Sequence, residues 1–180
     1  MPEKPWKECW SILMANSPFR IGTGIDFHQL VLEKVRPLML AGVEIPSEMA
    51  FLGHSDADVI LHAVSDAILG AVGLGDIGLH FPNTDPSFRN ISSSIILGKA
   101  LSLAKEKGWE PVNVDVSLVG DHPKIAPIRS KLVSNLAKLM QVTEDCVSIK
   151  ATTTEGMGSL GRGEGVMVMA TALLVRVDSF

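Results

Sequence analysis

This sequence has few cysteines, a small net charge and no long hydrophobic run. Its two cysteines, Cys9 and Cys146, lie far apart and form no CxxC pair, which excludes a disulfide framework and a thiolate zinc site and is typical of a reducing cytoplasm. A formal net charge of −4 gives no general attraction to nucleic acid or to an anionic membrane. No run approaches the roughly 20 apolar residues that span a bilayer. We therefore expect a cytoplasmic protein that binds neither nucleic acid nor membrane.

The composition predicts one domain preceded by a short arm. With 180 residues, of which 46% are hydrophobic and 20% charged, the chain is long enough for one core and too short for two comfortable domains. Residues 1–18 mix Lys, Glu and Pro and match neither a secretory signal nor a transit peptide. We expect a poorly ordered arm over 1–18 and a single domain over 19–180.

From residue 19 onward, strand patterns alternate with helix patterns. Strands are predicted at 19–28, 37–45, 112–120, 146–154 and 165–177, and helices at 54–76, 91–108 and 125–141. Ser55 is the predicted N-cap of the first helix, with Asp58 three residues on. This order predicts an α+β fold in which helices cover one face of a mixed sheet. The last strand is apolar on both parities, so its second face needs cover, which another subunit could provide.

Asp26 and His28 form a candidate metal site in the first strand. Side chains two residues apart in a strand project from the same face, which suits two ligands of one ion, although polar pairs also occur at ordinary strand ends. His62 lies in an apolar helix. Such a histidine is usually a core residue, but Asp66, four residues later, could orient its imidazole. Two histidines and one aspartate would leave a fourth zinc position open, as catalytic sites do.

Three loop segments are candidates for phosphate binding. They are 73–86, 120–127, which contains Lys124, and 150–165, which packs three threonines and two glutamates among glycines. Glycines let backbone N–H groups approach a ligand, and backbone N–H groups in such turns bind phosphate oxygens well. The alternative, that these segments are only flexible connections, stays open.

Four long motifs occur in a specific order and spacing: RIGTGIDFH, GHSDADVILHAVSDAILGAVGLGDIGLHFPNTDP, NVDVSLVGDHPKIAP and IKATTTEGMGSLGRGEG. With the closing apolar strand, they resemble the 2-C-methyl-D-erythritol 2,4-cyclodiphosphate synthase family of the non-mevalonate isoprenoid pathway. The resemblance runs from about residue 19 to the C-terminus. It implies conversion of 4-diphosphocytidyl-2-C-methyl-D-erythritol 2-phosphate to the cyclic diphosphate with release of CMP. It also implies a homotrimer whose sheets pack around a three-fold axis.

The resemblance further implies roles for single residues. Asp26, His28 and His62 match the zinc ligands, with a β-phosphate oxygen of the substrate as the fourth. Glu155 matches the ligand of a second metal, Mg²⁺ or Mn²⁺. His54 and Ser55 would position the 2-phosphate nucleophile, and Thr153 would hold the transferring phosphoryl group.

The other matched substrate-binding residues fall into three groups. The pocket for the methylerythritol phosphate corresponds to Asp76, Ile77, Gly78, Phe81, Pro82, Asn83, Thr84 and Asp85. The loop around cytosine corresponds to Gly120, Asp121, His122, Pro123, Lys124, Ile125 and Ala126. The diphosphate-binding turn corresponds to Thr152, Thr153, Thr154 and Glu155. Phe27, Ser159 and Arg162 complete the predicted set.

Some positions depart from the pattern of the family. Ser159 and Leu160 stand where many members carry Phe-Thr, Asn83 replaces a common Asp, and Met169 stands where some relatives place a Glu facing the trimer cavity. None of these belongs to the metal set. Two other function classes stay open: a metal-dependent nucleotide diphosphate hydrolase with water as nucleophile, and a non-catalytic trimeric binding module.

Overall fold

The computed structural model describes residues 17–32, 36–82 and 84–177. The strands are β1 Phe19–Val31, β2 Leu38–Leu40, β3 Val43–Ile45, β4 Ala50–Phe51, β5 Trp109–Val119, β6 Val147–Thr152 and β7 Gly165–Arg176. The α-helices are α1 Val59–Ala71, α2 Ile77–His80, α3 Ser93–Glu106, α4 Arg129–Met140 and α5 Gly158–Gly161. Short 3₁₀ turns cover Pro86–Phe88, Ala126–Ile128 and Glu144–Cys146. Most of the predicted arm lies outside the described residues, so its disorder stays a prediction.

Five strands form one mixed sheet in the order β4-β1-β7-β5-β6. The long strand β7 is antiparallel to both β1 and β5, whereas β5 and β6 run parallel. The register places Asp26 opposite Val168 and His28 opposite Val166. The prediction of an α+β fold with a mixed sheet is confirmed.

One face of the sheet forms the core against the helices. Alternate residues of β7 are buried completely on this face: Val166, Val168, Ala170, Ala172 and Leu174. Helix α1 lies directly on β1, where two glycines make close contact possible. A Cβ atom added at Gly24 would lie 2.0 Å from the backbone oxygen of Ala63 in α1. This close packing brings the polar side-chain atoms of Asp26 and His28 in β1 near those of His62 in α1.

The opposite face of the sheet is open in the single chain and largely apolar along β1. In β1, the alternate residues Phe19, Ile21, Ile25 and Phe27 are between 51% and 69% exposed, and Met169 of β7 is 41% exposed. No element among the described residues covers this face. Exposed apolar patches of this kind mark interaction surfaces, as the doubly apolar pattern of β7 predicts.

The strand predicted at 37–45 is in fact the hairpin of β2 and β3. Its tight turn consists of Ala41 and Gly42, whose φ angles are +51° and +74°. The alanine gives no sequence signal for this left-handed conformation. The buried carboxylate of Asp58 stabilises the turn, because it accepts hydrogen bonds from the N–H groups of both residues at 2.9 and 2.6 Å.

Asp58 also determines where helix α1 begins. Its carboxylate accepts a hydrogen bond from the N–H of Leu61 at 3.1 Å, so Asp58 is the N-cap. The prediction of Ser55 as N-cap is wrong: its hydroxyl accepts from the N–H of Ala57 in the preceding turn, at 3.0 Å. Within the described ranges, no helix has the length and hydropathy needed to cross a bilayer.

Candidate metal centre and active site

Strand β1 and helix α1 bring three predicted metal ligands together. Oδ2 of Asp26 lies 3.0 Å from Nδ1 of His28 and 3.0 Å from Nδ1 of His62. The two imidazole rings are 5.2 Å apart between centroids. One ligand atom from each residue lies within 4.8 Å of those of the other two. This arrangement fits a divalent metal ion, and the same-face spacing of Asp26 and His28 predicts it.

The chemistry of the three side chains fits a cation. Nδ1 of His28 is buried and, despite its contact with Asp26, lies outside hydrogen-bond geometry with any partner in the described part of the chain. A buried ring nitrogen of this kind is costly unless another group binds it. Burial alone would raise the pKa of the Asp26 carboxyl, but the neighbouring His28 and His62 hold it well below its usual range. The site therefore presents a carboxylate and two imidazole nitrogens at one point.

The second nitrogen of His62 points away from this cluster. Nε2 lies 2.9 Å from Oγ of Ser93 and 3.1 Å from Oγ of Ser55. The prediction that Asp66 orients the His62 imidazole is wrong, because Asp66 accepts a hydrogen bond from the N–H of Ile77 at 2.7 Å instead. Asp66 lies one helical turn further on and ties α1 to the start of α2. Burial and the neighbouring carboxylates raise its pKa.

The three candidate ligands Asp26, His28 and His62 are called the metal cluster below. A cleft of about 320 Å³ opens over them. Its walls come from β1, the loop between β4 and α1, helix α2 and the start of α3. The predicted site residues in its lining are Asp26, Phe27, His28, His54, Ser55, His62, Ile77, Gly78 and Phe81. Asp76 caps α2 by accepting a hydrogen bond from the N–H of Leu79 at 3.1 Å. The cleft thus joins the metal cluster to part of the predicted methylerythritol phosphate pocket.

A second cavity, of about 490 Å³, adjoins the cleft. Gly53, His54 and Phe88 line both. Thr84 and Asp85, predicted from the sequence, also line the second cavity, whereas Pro82 is exposed outside both linings and Asn83 lies outside the described residues.

The predicted cytosine loop and diphosphate turn meet at another place in the chain. A cavity of about 190 Å³ at the carboxyl ends of β5 and β6 is lined by residues of both segments: Gly120, Pro123, Lys124, Ile125, Ala126, Thr152 and Thr153, with Arg129 and Ala151. Asp121 accepts a hydrogen bond from Nζ of Lys124 at 3.5 Å, and His122 is exposed. The parallel pairing of β5 and β6 places the two loops side by side.

The turn after β6 leaves one carboxylate exposed. Thr153 donates a hydrogen bond from Oγ1 to Oε1 of Glu155 at 2.9 Å, and Glu155 has a φ angle of +54°. The hydroxyl of Thr154 is used inside the turn, where it donates to the carbonyl of Met157 at 2.6 Å. Glu155 is exposed and so can reach a cation held outside its own turn.

The remaining predicted residues lie around α5. Ser159 and Leu160 line a cavity of about 280 Å³ together with Phe27 and His28. Arg162 forms an ion pair with Glu164, with 2.6 Å between Nε and Oε1. Both partners are exposed, so this pair is a surface interaction in the single chain.

Three residues near the metal cluster were missed by the sequence predictions. Arg36 and Arg89 line the second cavity, and Arg36 donates a hydrogen bond to the carbonyl of Ser55. Ser93 is buried against His62. Ser93 is the middle one of three consecutive serines, and no local pattern distinguishes it from its neighbours. Isolated arginines next to predicted loops also carry no periodic signal.

Comparison with known proteins places the chain in a family. The YgbB family model matches residues 19–175. The chain is 65% identical over 156 residues to 2-C-methyl-D-erythritol 2,4-cyclodiphosphate synthase of Leptospira biflexa serovar Patoc, which covers 87% of this chain and 96% of that protein. The synthase of Dechloromonas aromatica is 50% identical over 159 residues, covering 88% of this chain and 98% of that protein.

Solved structures similar to this chain come from proteins of the same kind as these relatives. The bifunctional IspDF of Campylobacter jejuni superposes with a TM-score of 0.84 at 40% identity, covering 89% of this chain and 43% of that longer protein. The CDP complex of Plasmodium falciparum IspF gives a TM-score of 0.78 at 34% identity, covering 91% of this chain and 99% of that one. The matched range contains the three candidate metal ligands, the cleft and the loops that follow β5 and β6, and the chain belongs to the YgbB family.

Proposed function

We propose that this protein converts 4-diphosphocytidyl-2-C-methyl-D-erythritol 2-phosphate to 2-C-methyl-D-erythritol 2,4-cyclodiphosphate and CMP. The observation that carries this proposal is the meeting of Asp26, His28 and His62 at the floor of a cleft. The same cleft holds His54 and Ser55, the residues predicted to position the nucleophile. Relatives up to 65% identical carry the name of this synthase.

Two metal ions take part in the proposed reaction. Asp26, His28 and His62 would hold Zn²⁺ or another divalent transition metal, because imidazole nitrogens suit such ions. Glu155 would hold Mg²⁺ or Mn²⁺, which prefer oxygen ligands. When bound, these ions polarise phosphate oxygens and offset the charge that develops in phosphoryl transfer. The exposed carboxylate of Glu155 and the imidazole pair of His28 and His62 match this division.

The reaction is an internal phosphoryl transfer. An oxygen of the 2-phosphate forms a bond to the β-phosphorus, and the bond from that phosphorus to the bridging oxygen breaks, so that CMP leaves with the electron pair. Catalysis of such a step depends on positioning and electrostatics and needs no side-chain nucleophile. The reaction thus needs groups that bind the two phosphates in line, a task for Ser55 of the cleft, the arginines of the adjoining cavity and the proposed metal ions.

Ser55 and two arginines are well placed for this task. Because the Ser55 hydroxyl accepts the N–H of Ala57, its own hydrogen is available to a phosphate oxygen. Arg36 and Arg89 line the adjoining cavity. Guanidinium groups bind phosphate with strong, charge-assisted hydrogen bonds. The positive side chains offset the overall negative charge of the protein where an anionic substrate would bind.

The proposed assembly is a homotrimer with each active site shared between neighbours. The open face of β1 and β7 exposes large apolar side chains such as Ile21 at 69% and Phe27 at 63%, and their burial between subunits would be favourable. Among the described residues, the metal cleft and the cavity around Lys124 share no lining residue. Strand β7 separates β1 from β5, which puts roughly 10 Å between the two strands. A neighbouring subunit could close that gap.

Phosphorus NMR of the products tests the proposed reaction. Incubation with the diphosphocytidyl substrate, Zn²⁺ and Mg²⁺ should give CMP and the cyclic diphosphate in equal amounts. A hydrolase would instead give CMP with an open-chain product that lacks the ring. A binding module would leave the substrate unchanged. Either of the last two results would contradict the proposal.

Replacement of Glu155 by glutamine should weaken the response to Mg²⁺ without loss of zinc. The amide keeps the shape of the side chain but lacks the charge that holds a hard cation. We expect the Mg²⁺ concentration for half-maximal activity to rise by at least about tenfold, because loss of one carboxylate costs roughly 1.4 kcal/mol or more of binding.

A matched control for this variant is Glu144→Gln, which changes an exposed glutamate at the 3₁₀ turn Glu144–Cys146, outside the cavities described above. The control should titrate with Mg²⁺ like the parent protein. If the Mg²⁺ titration of Glu155→Gln is unchanged, Glu155 is not a ligand of the second metal. If the variant loses zinc, Glu155 contributes to the first metal site instead.

A further inference from the structure

Ser93 is a completely buried hydroxyl next to the proposed metal site. It is the first residue of α3, and its exposed fraction is 0%. Its Oγ contacts Nε2 of His62 at 2.9 Å, and it also contacts Oδ1 of Asp56 in a short hydrogen bond. The backbone N–H of Ser93 donates to the other oxygen of the same carboxylate at 3.0 Å. The serine thus joins Asp56 to His62.

The direction of these hydrogen bonds follows from the chemistry of the groups. An ionised carboxylate only accepts hydrogen bonds, and a hydroxyl has one hydrogen to donate. The hydrogen of Ser93 therefore goes to Asp56, and its oxygen accepts the N–H at Nε2 of His62. A neutral imidazole with its hydrogen at Nε2 has its lone pair at Nδ1. Nδ1 of His62 is the atom that faces Asp26 at 3.0 Å.

We propose that Asp56 and Ser93 are positioning residues for the metal site. Through the bond to Nε2 they hold His62 in the tautomer and ring orientation that direct the lone pair of Nδ1 toward Asp26 and His28. The inference rests on the proposed function only in taking these three residues as metal ligands. Groups that bind the outer nitrogen of a metal-ligating histidine typically change metal affinity by 10- to 100-fold.

Ser55 is the second acceptor near Nε2, at 3.1 Å. Its oxygen already accepts the N–H of Ala57 at 3.0 Å, and among the described residues its hydroxyl contacts no carboxylate. The O–H bond of Ser55 can therefore rotate, whereas the O–H bond of Ser93 is fixed by its hydrogen bond to Asp56. Loss of Ser93 should weaken the site without removing every partner of His62.

Neighbouring residues provide a matched control. Ser92 also donates to Asp56, at 3.3 Å, and it contacts Ser94 at 2.9 Å. Its hydroxyl has no bond to His62 among the described contacts. Ser92→Ala and Ser93→Ala each remove one hydroxyl at the start of α3 that donates a hydrogen bond to Asp56. Only the second removes the bond to the imidazole.

The test measures zinc affinity in the full-length protein, without substrate, by competition with a chromophoric chelator. We expect Ser93→Ala to bind Zn²⁺ at least about tenfold more weakly than the parent. Ser92→Ala should stay within about twofold. Asp56→Asn should also weaken binding, because an amide can donate to Ser93 and let its hydroxyl turn toward Nε2. Thermal unfolding of the metal-free variants separates this effect from loss of stability.

A second measurement reports on the hydrogen bond itself. In zinc-loaded protein with ¹⁵N-labelled histidine, the Nε2 proton of His62, assigned by its absence in His62→Gln, should exchange slowly with water. Ser93→Ala should speed this exchange at least about tenfold, and Ser93→Thr, which keeps the hydroxyl, should restore it. Parent-like affinity and exchange in Ser93→Ala would overturn the inference. A parent protein that binds no zinc would overturn the three-ligand site itself, and hydrolysis products in the NMR assay would contradict only the proposed reaction.

Discussion

Replacement of His62 by alanine is expected to abolish the metal site and with it the turnover. The alanine removes one of the three proposed ligands, and the remaining Asp26 and His28 would hold an ion far more weakly. Loss of the ion removes the stabilisation of charge on the phosphate oxygens, so we expect activity to fall by about 10³-fold or more. Metal analysis of the purified variant should show less than one zinc per chain.

The fold should survive this change. His62 has polar neighbours in Ser55 and Ser93, and water can fill the space that the imidazole leaves. His80→Ala is the matched control, because His80 is a partly buried histidine bound to the carbonyl of Leu74, outside the metal cluster. It should keep zinc and turnover. A His62→Ala protein with a full complement of zinc and normal turnover would contradict the assigned site.

Two inactive variants should restore activity when they are assembled together. His62→Ala removes the metal half of a site, and Thr153→Val removes the hydroxyl of the turn that bonds Glu155. In the proposed trimer each site takes the first half from one subunit and the second from its neighbour. Random mixing at one to one therefore gives both intact halves in roughly a quarter of the sites. Unfolding and refolding the mixture should recover about that fraction of the parent activity.

The controls for this experiment are each variant refolded alone and the two variants mixed without unfolding. Both should stay inactive as long as the trimers do not exchange subunits. Native mass spectrometry of differently labelled chains identifies the mixed trimers. If mixed trimers form and no activity returns, each site is built within one chain, and the shared-site proposal is wrong.

Local patterns in the sequence predict the framework of the site well. The alternation of Asp26 and His28 depends only on the two-residue period of a strand, and the placement of His62 depends on the helical period of α1. The apolar character of β7 on both parities likewise predicts the open face seen around Phe27. These properties arise from the residues next to each other in the chain, so no tertiary information is needed.

Boundaries and turns are predicted less well. Ala41 adopts a left-handed conformation because the buried carboxylate of Asp58 binds its N–H, from 17 residues away. The same carboxylate starts α1 at Val59 and leaves Ser55 outside the helix. No periodic pattern indicates a hydrogen bond of this kind, because its energy depends on packing that brings a helix and a hairpin together.

By itself, the sequence predicts an α+β domain with a candidate metal-ligand set on a strand and a helix, since period and residue type are local properties. Only the tertiary structure decides the partners of those ligands. His62 is bound by Ser93, 31 residues further along the chain, while Asp66, four residues away on the same helix face, binds Ile77. Arg36 and Arg89 likewise come to line one cavity only in the folded chain. Hydrogen bonds and charge contacts form between segments that the core packing brings together, and such packing has no signature in any short stretch of sequence.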